Sequence, residues 1–157
     1  MTKFDVLLQI ATSSDLDELY MLQKECFKIY DDKYGYFDTN PYHMDKDLLK
    51  FNINYRYGKY YKIIVDNKII GGIFYFMLDD GLYKIAQFYL QEDYRRQGIG
   101  SYVMNEILKD KDVKVFKVDT IYEEKVNVSF YLKFGFKEIE REIEKEGLTF
   151  IVFERKS

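Results

Sequence analysis

Two arginines and two glycines lie close together in the stretch YRRQGIG, residues 94–100, directly before an amphipathic pattern. The N-terminus of a helix leaves backbone N–H groups unpaired and carries a partial positive charge, so it favours a bound phosphate. Gly98 and Gly100 lack the Cβ atoms that would keep a ligand from the backbone, and Arg95 and Arg96 add positive charge. The spacing therefore predicts a phosphate or pyrophosphate site at a helix start.

A tyrosine that could donate a proton lies in a second motif, VNVSFYLKFGF, residues 126–136. Asn127, Phe130, Tyr131 and Phe134 recur at helical spacing and therefore share one face of a short helix. A tyrosine hydroxyl, with an ordinary pKa near 10, is protonated at pH 7 and can act as an acid. A purely structural role, as a core aromatic residue, remains the alternative for Tyr131.

Other phosphate and metal chemistries find less support in the sequence. No Gly-Lys-Ser/Thr ending follows the glycines, and Val103 occupies the position where a dinucleotide fingerprint needs a small residue. A tight turn with solvated arginines remains an alternative interpretation of the first motif. Cys26 and His43 are the sole cysteine and histidine, so we expect no metal site.

The elements that must position these residues follow from the hydrophobic periodicity. A first strand is predicted at 4–11, a helix over 13–30 capped by Ser13 or Ser14, and a tyrosine-rich loop at 31–43. A second helix is predicted at about 44–56, with an apolar side formed by Met44, Leu48, Leu49 and Phe51. Three antiparallel strands follow, with turns at 67–68 and 80–81, and the run 73–78 is expected to be covered on both faces. A helix at 98–109, a strand, a helix at 126–133 and a final hairpin complete an α+β or mixed α/β domain with helices on both sheet faces.

Composition limits the class of protein. The chain has 157 residues, 47% of them hydrophobic and 18% aromatic, which predicts one folded domain over 1–157 rather than a disordered chain. The net charge of −3 provides no overall field for nucleic acid or an anionic membrane. We find no signal peptide or membrane-spanning run, so we expect a cytoplasmic protein without nucleic-acid or membrane partners.

Taken together, YRRQGIG and FYLKFGF resemble the motifs of the GCN5-related N-acetyltransferase (GNAT) superfamily, and the resemblance extends to the order of elements over most of the chain. It implies the acyl-CoA N-acyltransferase fold, a mixed, mostly antiparallel sheet of about seven strands, with acetyl-CoA as co-substrate. By the same resemblance, Tyr131 protonates the departing CoA thiolate and also contacts CoA. The remaining residues that it assigns to CoA binding are Phe88, Tyr89, Leu90, Arg95, Arg96, Gln97, Gly98, Ile99, Gly100, Ser101 and Asn127.

Two positions depart from the family pattern, and the base is not identified by it. Glu124 stands seven residues before Tyr131, where many members have asparagine, and Glu92 stands where proline is usual. Asn127 is the nearest asparagine. For the base, we hypothesise a water relay held by Gln87, or by a carboxylate such as Glu123 or Glu124.

The sequence thus predicts an acetyl-CoA-dependent N-acetyltransferase that acts on a primary amine by direct attack in a ternary complex. A non-catalytic acyl-CoA binding or sensing module is the alternative, and a nucleotide-binding structural protein is a third interpretation. The identity of the amine, the use of other acyl groups and the formation of a homodimer are left open. The loop at 31–43 is the expected determinant of the acceptor.

Overall fold

A seven-stranded sheet forms the centre of the molecule in the computed structural model, which describes residues 4–157. Six neighbouring strand pairs make up the sheet, and five of them are antiparallel, as predicted for this fold. The spatial order is β1-β2-β3-β4-β5-β7-β6. The strands are β1 (Val6–Ile10), β2 (Gly58–Val65), β3 (Lys68–Asp79), β4 (Leu82–Leu90), β5 (Val115–Ile121), β6 (Lys137–Lys145) and β7 (Leu148–Lys156).

Two helices cover each face of the sheet. On one face, α1 (Leu16–Tyr34) and α2 (Lys46–Asn54) pack against a cluster that includes Tyr60 and Phe74. On the other face, α3 (Ile99–Ile107) and α4 (Lys125–Lys133) pack against a larger cluster that includes Tyr75 and Phe153. This arrangement confirms the predicted mixed fold with helices on both faces.

The middle of β3 is buried on both sides, as its continuous apolar run indicates. Ile73 and Tyr75 belong to the cluster under α3 and α4, while Phe74 between them belongs to the cluster under α1 and α2. The expectation is wrong at the end of the run, because Leu78 is 47% exposed.

The first helix begins and ends later than the sequence predicts. The predicted caps, Ser13 and Ser14, instead lie in a short 3₁₀ turn, Ser13–Asp15, and the Asp15 carboxylate accepts a hydrogen bond from the Thr12 N–H at 2.9 Å. The helix α1 continues to Tyr34 and ends at Gly35, whose φ of 73° is costly for other residues. The loop before α2 is therefore shorter than predicted.

The second helix is also shorter, and of its predicted apolar side Leu49 is buried while Leu48 and Phe51 are not. The Asp45 side chain caps α2 by accepting from the Leu48 N–H at 2.7 Å. Leu49 and Ile53, four residues apart, are buried, whereas Leu48 and Phe51 are 46% and 59% exposed. The face that packs is the one set by the i, i+4 pair.

The turns of the meander are two-residue turns. The first lies at Asp66 and Asn67, one residue earlier than predicted, because both adopt positive φ (52° and 63°), as a two-residue hairpin turn with primed geometry requires. The second lies at Asp80-Gly81 as predicted, with positive φ at Gly81.

Candidate active site

The parallel pair β4 and β5 stays together over only part of its length. Leu82 to Ile85 pair with Val115 to Val118, and the ladder ends there, although β4 continues to Leu90 and β5 to Ile121. The facing edges of Ala86–Leu90 and Asp119–Ile121 therefore do not pair with each other. Backbone groups at such an opening are available to a ligand.

A β-bulge in β4 determines which side chains point to which face. The β3–β4 register shifts at Ala86, since Phe74 pairs with Gln87 and Tyr75 pairs with Ile85. An extra residue reverses the alternation. As a result, Lys84 and Gln87 both line the cavity described below, although they are three residues apart.

The start of α3 has the geometry predicted for an anion site. Gly98 precedes the helix with a φ of 87°, and Arg96 also has a positive φ, 59°. Within residues 4–157, no side chain caps this helix start. The N–H groups of the first turn are therefore left for a ligand or water.

The two arginines beside this turn are held by one carboxylate. Arg96 Nη2 lies 2.9 Å from Glu92 Oε1, and Arg95 Nη1 lies 3.7 Å from Glu92 Oε2. Glu92, where the family usually has proline, thus links both arginines. Both arginine side chains line the cavity.

Tyr131 is buried in α4, and its ring packs on Phe130, Phe136 and Phe153. Burial, and secondarily the nearby Tyr30 hydroxyl, raise the pKa of Tyr131 well above its ordinary value. A tyrosine in this environment stays protonated at neutral pH. It is therefore in the form that an acid requires.

These features border one cavity of about 590 Å³ between β4, β5, α1, α3 and α4. Gln97 and Ile99 are not in its lining; the Gln97 side chain donates to the Asp93 carbonyl at 2.6 Å, and Ile99 is buried in the core. The buried Ile99 can therefore contact a ligand only through its backbone. The predicted site residues that do line the cavity are Gln87, Phe88, Tyr89, Leu90, Arg95, Arg96, Gly98, Gly100, Ser101, Asn127 and Tyr131.

The two glutamates considered as bases are engaged elsewhere. Glu124 accepts hydrogen bonds from Tyr34 Oη and from Lys33 Nζ, and Glu123 accepts the Thr149 N–H at 2.9 Å. Neither residue lines the cavity. Glu124 instead connects the start of α4 to the end of α1.

Asn127, the asparagine nearest to the family position, lines the cavity. Its Nδ2 donates to Tyr30 Oη at 3.2 Å, which fixes the orientation of the amide between α4 and α1. The amide oxygen then faces away from Tyr30 and can accept a hydrogen bond. A contact to a ligand in the opening is therefore consistent with this geometry.

Gln87 is the polar residue at the junction of the opening and the α1 side of the cavity. It is 5% exposed, its Nε2 lies 3.6 Å from Met44 Sδ, and its Oε1 has no hydrogen-bond partner among residues 4–157. A buried amide oxygen without a partner costs free energy. Such a cost is often found where a ligand supplies the missing donor.

Several lining residues were not identified from the sequence. Tyr30, Phe37 and Asn40 come from α1 and the loop after it, and Asp119, Glu142 and Glu144 come from β5 and β6. The sequence predicts a final hairpin here but not which sheet face the glutamates of KEIEREIEK follow. Only the strand order, with β7 between β5 and β6, places those carboxylates at the cavity.

Cys26 also lines the cavity and is partly buried. Burial raises the pKa of its thiol to about 12, so the nucleophilic thiolate is scarce at neutral pH.

Among residues 4–157, no group of three or more histidine, cysteine, aspartate or glutamate side chains is arranged to hold a metal ion. Within the same range, no helix has the length and apolar character needed to cross a bilayer.

Comparison with known proteins identifies the family. Residues 35–157 match the model of the acetyltransferase (GNAT) domain. No curated protein matches the chain in sequence.

Solved structures that share this fold include acetyltransferases. The PaiA N-acetyltransferase from Thermoplasma acidophilum, in complex with coenzyme A, has a TM-score of 0.76 at 21% identity, with 98% of this chain and 99% of that chain covered. A GNAT family acetyltransferase from Elizabethkingia anophelis with acetyl-CoA bound has a TM-score of 0.71 at 17% identity, with 99% and 100% covered. An acetyltransferase from Thermus thermophilus has a TM-score of 0.75 at 12% identity, and both chains are covered completely.

The family match covers most of the chain, including β4, the start of α3 and Tyr131, and the fold agrees with it throughout. The chain therefore belongs to the GNAT acetyltransferase family, and it is an acetyl-CoA-dependent N-acetyltransferase.

Proposed function

We propose that the protein transfers the acetyl group of acetyl-CoA directly to a primary amine while both substrates are bound. The observation that carries this proposal is a single cavity that runs from the uncapped start of α3, through the opening between β4 and β5, to Gln87, with Tyr131 in its wall. Because both ends belong to one cavity, a thioester and an amine can meet without a covalent enzyme intermediate. Residues 4–157 would act as one domain in this reaction.

The cofactor end follows from the charges and the free backbone groups. The pyrophosphate of CoA would accept hydrogen bonds from the first-turn N–H groups of α3, with Arg95 and Arg96 nearby. The pantetheine arm would lie along Phe88–Leu90, where β4 has no β5 partner, and Asn127 would contact it from the other side. This path leads the thioester toward Tyr131.

The chemical step requires two proton transfers. The amine nitrogen attacks the thioester carbonyl carbon, forms the new C–N bond and loses one proton to water. The C–S bond then breaks, and the thiolate takes a proton from the Tyr131 hydroxyl. The amide product and CoA leave, and Tyr131 regains its proton from water. The raised pKa of Tyr131 keeps the acid in its protonated form until the thiolate develops.

The amine must be neutral when it attacks. Deprotonating a lysine-like amine at pH 7 costs roughly 4.6 kcal/mol, because its pKa lies about 3.4 units higher. We propose that Gln87 positions the amine, or a water that takes its proton, through the unpaired Oε1. An amide is not a base, so Gln87 is a positioning group in this scheme.

The rival function, an acyl-CoA binding module without catalysis, predicts that the amine side is filled. The cavity instead continues past Gln87 to Phe37, Phe150 and Glu142. A space of this kind, with an apolar wall and carboxylates, supports an acceptor site.

Replacing Tyr131 with phenylalanine tests the acid. We expect Tyr131→Phe to lower kcat for acetyl transfer about 100-fold, in the range for loss of one general acid, and to leave the affinity for acetyl-CoA nearly unchanged. Acetyl transfer can be followed by CoA thiol release, and affinity by calorimetry. Tyr83→Phe is the matched control, because it removes a hydroxyl from a buried tyrosine outside the cavity lining.

Equal activity of Tyr131→Phe and the wild-type protein would assign Tyr131 to packing alone. Saturable acetyl-CoA binding without acetylation of any amine in a broad panel would contradict the proposed function and favour the binding module.

A further inference from the structure

The edge strand β6 presents a row of carboxylates to the far end of the cavity. In the β6–β7 ladder, Glu142 lies opposite Phe150 and Glu140 lies opposite Val152. Phe150, Val152, Glu142 and Glu144 all line the cavity. The row, Glu140, Glu142 and Glu144, therefore lies on the acceptor side of the sheet.

These three carboxylates form no ion pair with any residue that the structure describes. Within residues 4–157, none of them forms a hydrogen bond or an ion pair. Lys84 instead pairs with Asp119 at 3.2 Å, and Lys145 donates to the Tyr36 carbonyl at 2.9 Å. Three neighbouring negative charges repel one another, and a mobile cation relieves that repulsion. The row therefore favours a positively charged ligand.

The floor between this row and the reaction point contains an apolar line of side chains beside the Lys84–Asp119 ion pair, which also borders the cavity. Ile121 pairs with Phe150 across the β5–β7 ladder, and Phe150 pairs with Glu142, so the three side chains form a line across the sheet. Phe37 packs on the Phe150 ring at 5.9 Å and extends the apolar wall. Such a surface suits a chain of methylene groups.

A second polar group lies at the other end of the line. Gln87 is 95% buried, and its unpaired Oε1 is the acceptor that an amine N–H would satisfy. The cavity thus has a hydrogen-bond acceptor at the reaction point, an apolar strip along its middle and carboxylates at the far end. The strand order puts three strand spacings between β4 and β6, roughly 14 Å at ~4.8 Å each.

We propose that the acceptor is a linear aliphatic polyamine, which places one primary amine at Gln87, its methylene chain over Ile121 and Phe150, and a distal ammonium group at Glu142 and Glu144. This inference rests on the proposed function, since it names the substrate class of the same site. A long alkyl chain with a primary amine at one end and an ammonium group at the other matches the order of groups along the cavity.

Paired acceptors that differ only at the distal end test the proposal. We expect spermidine and diaminooctane to be acetylated with kcat/KM at least tenfold above octylamine, which has the same chain without the second charge. Diaminopropane, which is too short to reach β6, should resemble octylamine. Raising the salt concentration should reduce the advantage of the diamines, because screening weakens the distal contact.

Variants that neutralise the carboxylates of β6 provide a second test of the proposal. We expect Glu142→Gln combined with Glu144→Gln to raise KM for diaminooctane about tenfold, to leave kcat nearly unchanged, and to leave octylamine kinetics unaffected. Glu138→Gln is the matched control, since Glu138 lies on the same strand but pairs opposite Phe153 on the other sheet face and bonds Arg141. It should leave KM for diaminooctane unchanged.

Equal kcat/KM for diaminooctane and octylamine, or an unchanged KM in the double variant, would overturn the proposal while the acetyltransfer reaction stands. Faster acetylation of a short lysine-containing peptide than of spermidine would also overturn it. Calorimetric titration of CoA-loaded protein with spermidine distinguishes a failure of the polyamine proposal from a failure of the proposed acetyltransfer function. Binding that the double variant abolishes, without any acetylation, would retain the polyamine site and reject the proposed function.

Discussion

Gln87 and Gln23 are buried side chains whose amide oxygens have no hydrogen-bond partner among the described residues. Both amide nitrogens lie near Met44 Sδ, at 3.6 Å and 3.5 Å, which is a weak acceptor. Gln23 also donates to the Pro41 carbonyl at 3.2 Å, so it holds the loop before α2. Gln87 has no such second role, and its position is better explained by a ligand than by stability.

Replacing Gln87 with methionine should therefore stabilise the protein and impair the reaction. We expect Gln87→Met to raise the free energy of unfolding by about 1 kcal/mol, because the buried unpaired oxygen is removed without much change of volume. Acetyl transfer should fall at least tenfold, because the amine loses its positioning group. Denaturant unfolding and steady-state kinetics measure the two effects.

Gln23→Met is the matched comparison for this prediction. It also removes an unpaired oxygen but breaks the bond to Pro41, so we expect no gain in stability and little change in kcat. A Gln87→Met protein that is less stable than wild type and fully active would assign Gln87 to the structure instead.

At the scale of elements, the start of α3 combines an unusual backbone conformation with the predicted anion site. Gly98 has a φ of 87°, and Gly147 in the β6–β7 turn has a φ of 81°, with no atom within 4 Å of the position that a Cβ would take there. The two glycines thus have the same conformational requirement, and only Gly98 lines the cavity.

Alanine at each of these glycines separates strain from ligand binding. We expect Gly98→Ala and Gly147→Ala to lower the free energy of unfolding by about 1 kcal/mol each, because an L-residue is strained at this φ. Gly98→Ala alone should weaken acetyl-CoA binding, about tenfold or more, since relaxing the strain moves the first-turn N–H groups. Similar acetyl-CoA affinity of the two variants would contradict the assignment of the α3 start to the pyrophosphate.

The sequence predicts this element well and others poorly, for physical reasons. The glycines, the arginines and the apolar face of α3 are local signals, so the sequence alone predicts where this helix begins. The bulge at Ala86 has no such signal, because KIAQFYL reads as an uninterrupted strand, and the bulge decides where Gln87 points. The carboxylates of β6 were missed for a related reason, since their side of the sheet depends on pairing with β7.

At the scale of the whole molecule, a polar cluster outside the cavity lining joins β2, β3 and the segment after α3. Asp110 accepts hydrogen bonds from Lys59 at 2.6 Å and from Tyr75 at 2.8 Å. Burial alone would raise the pKa of Asp110, but the bonds from Lys59 and Tyr75 hold it below its ordinary value. The charged form of Asp110 therefore stabilises the fold.

A group whose pKa is lowered by folding stabilises the protein above its unfolded pKa, and this contribution is lost as the pH falls through the folded pKa. We expect Asp110→Asn to lower the free energy of unfolding by about 2 kcal/mol at pH 7, and the difference from wild type to shrink below about pH 4. Denaturant unfolding at a series of pH values measures this.

Asp112→Asn is the comparison, because Asp112 also contacts Lys59, at 2.9 Å, but its side chain is 66% exposed. Its loss should cost well under 1 kcal/mol. A constant difference between Asp110→Asn and wild type from pH 7 to pH 3 would contradict the role of the Asp110 charge.

The short ladder between β4 and β5 also bears on how the molecule unfolds. It divides the sheet into a four-stranded antiparallel unit, β1 to β4, and a three-stranded unit, β5, β7 and β6, which share one paired stretch of four residues, Leu82–Ile85 with Val115–Val118. Cooperativity between the two units then depends on that stretch and on the helices that pack across it. A molecule bound along the opening contacts both units and therefore opposes their separation. Substrate binding should for this reason slow amide hydrogen exchange in both β4 and β5.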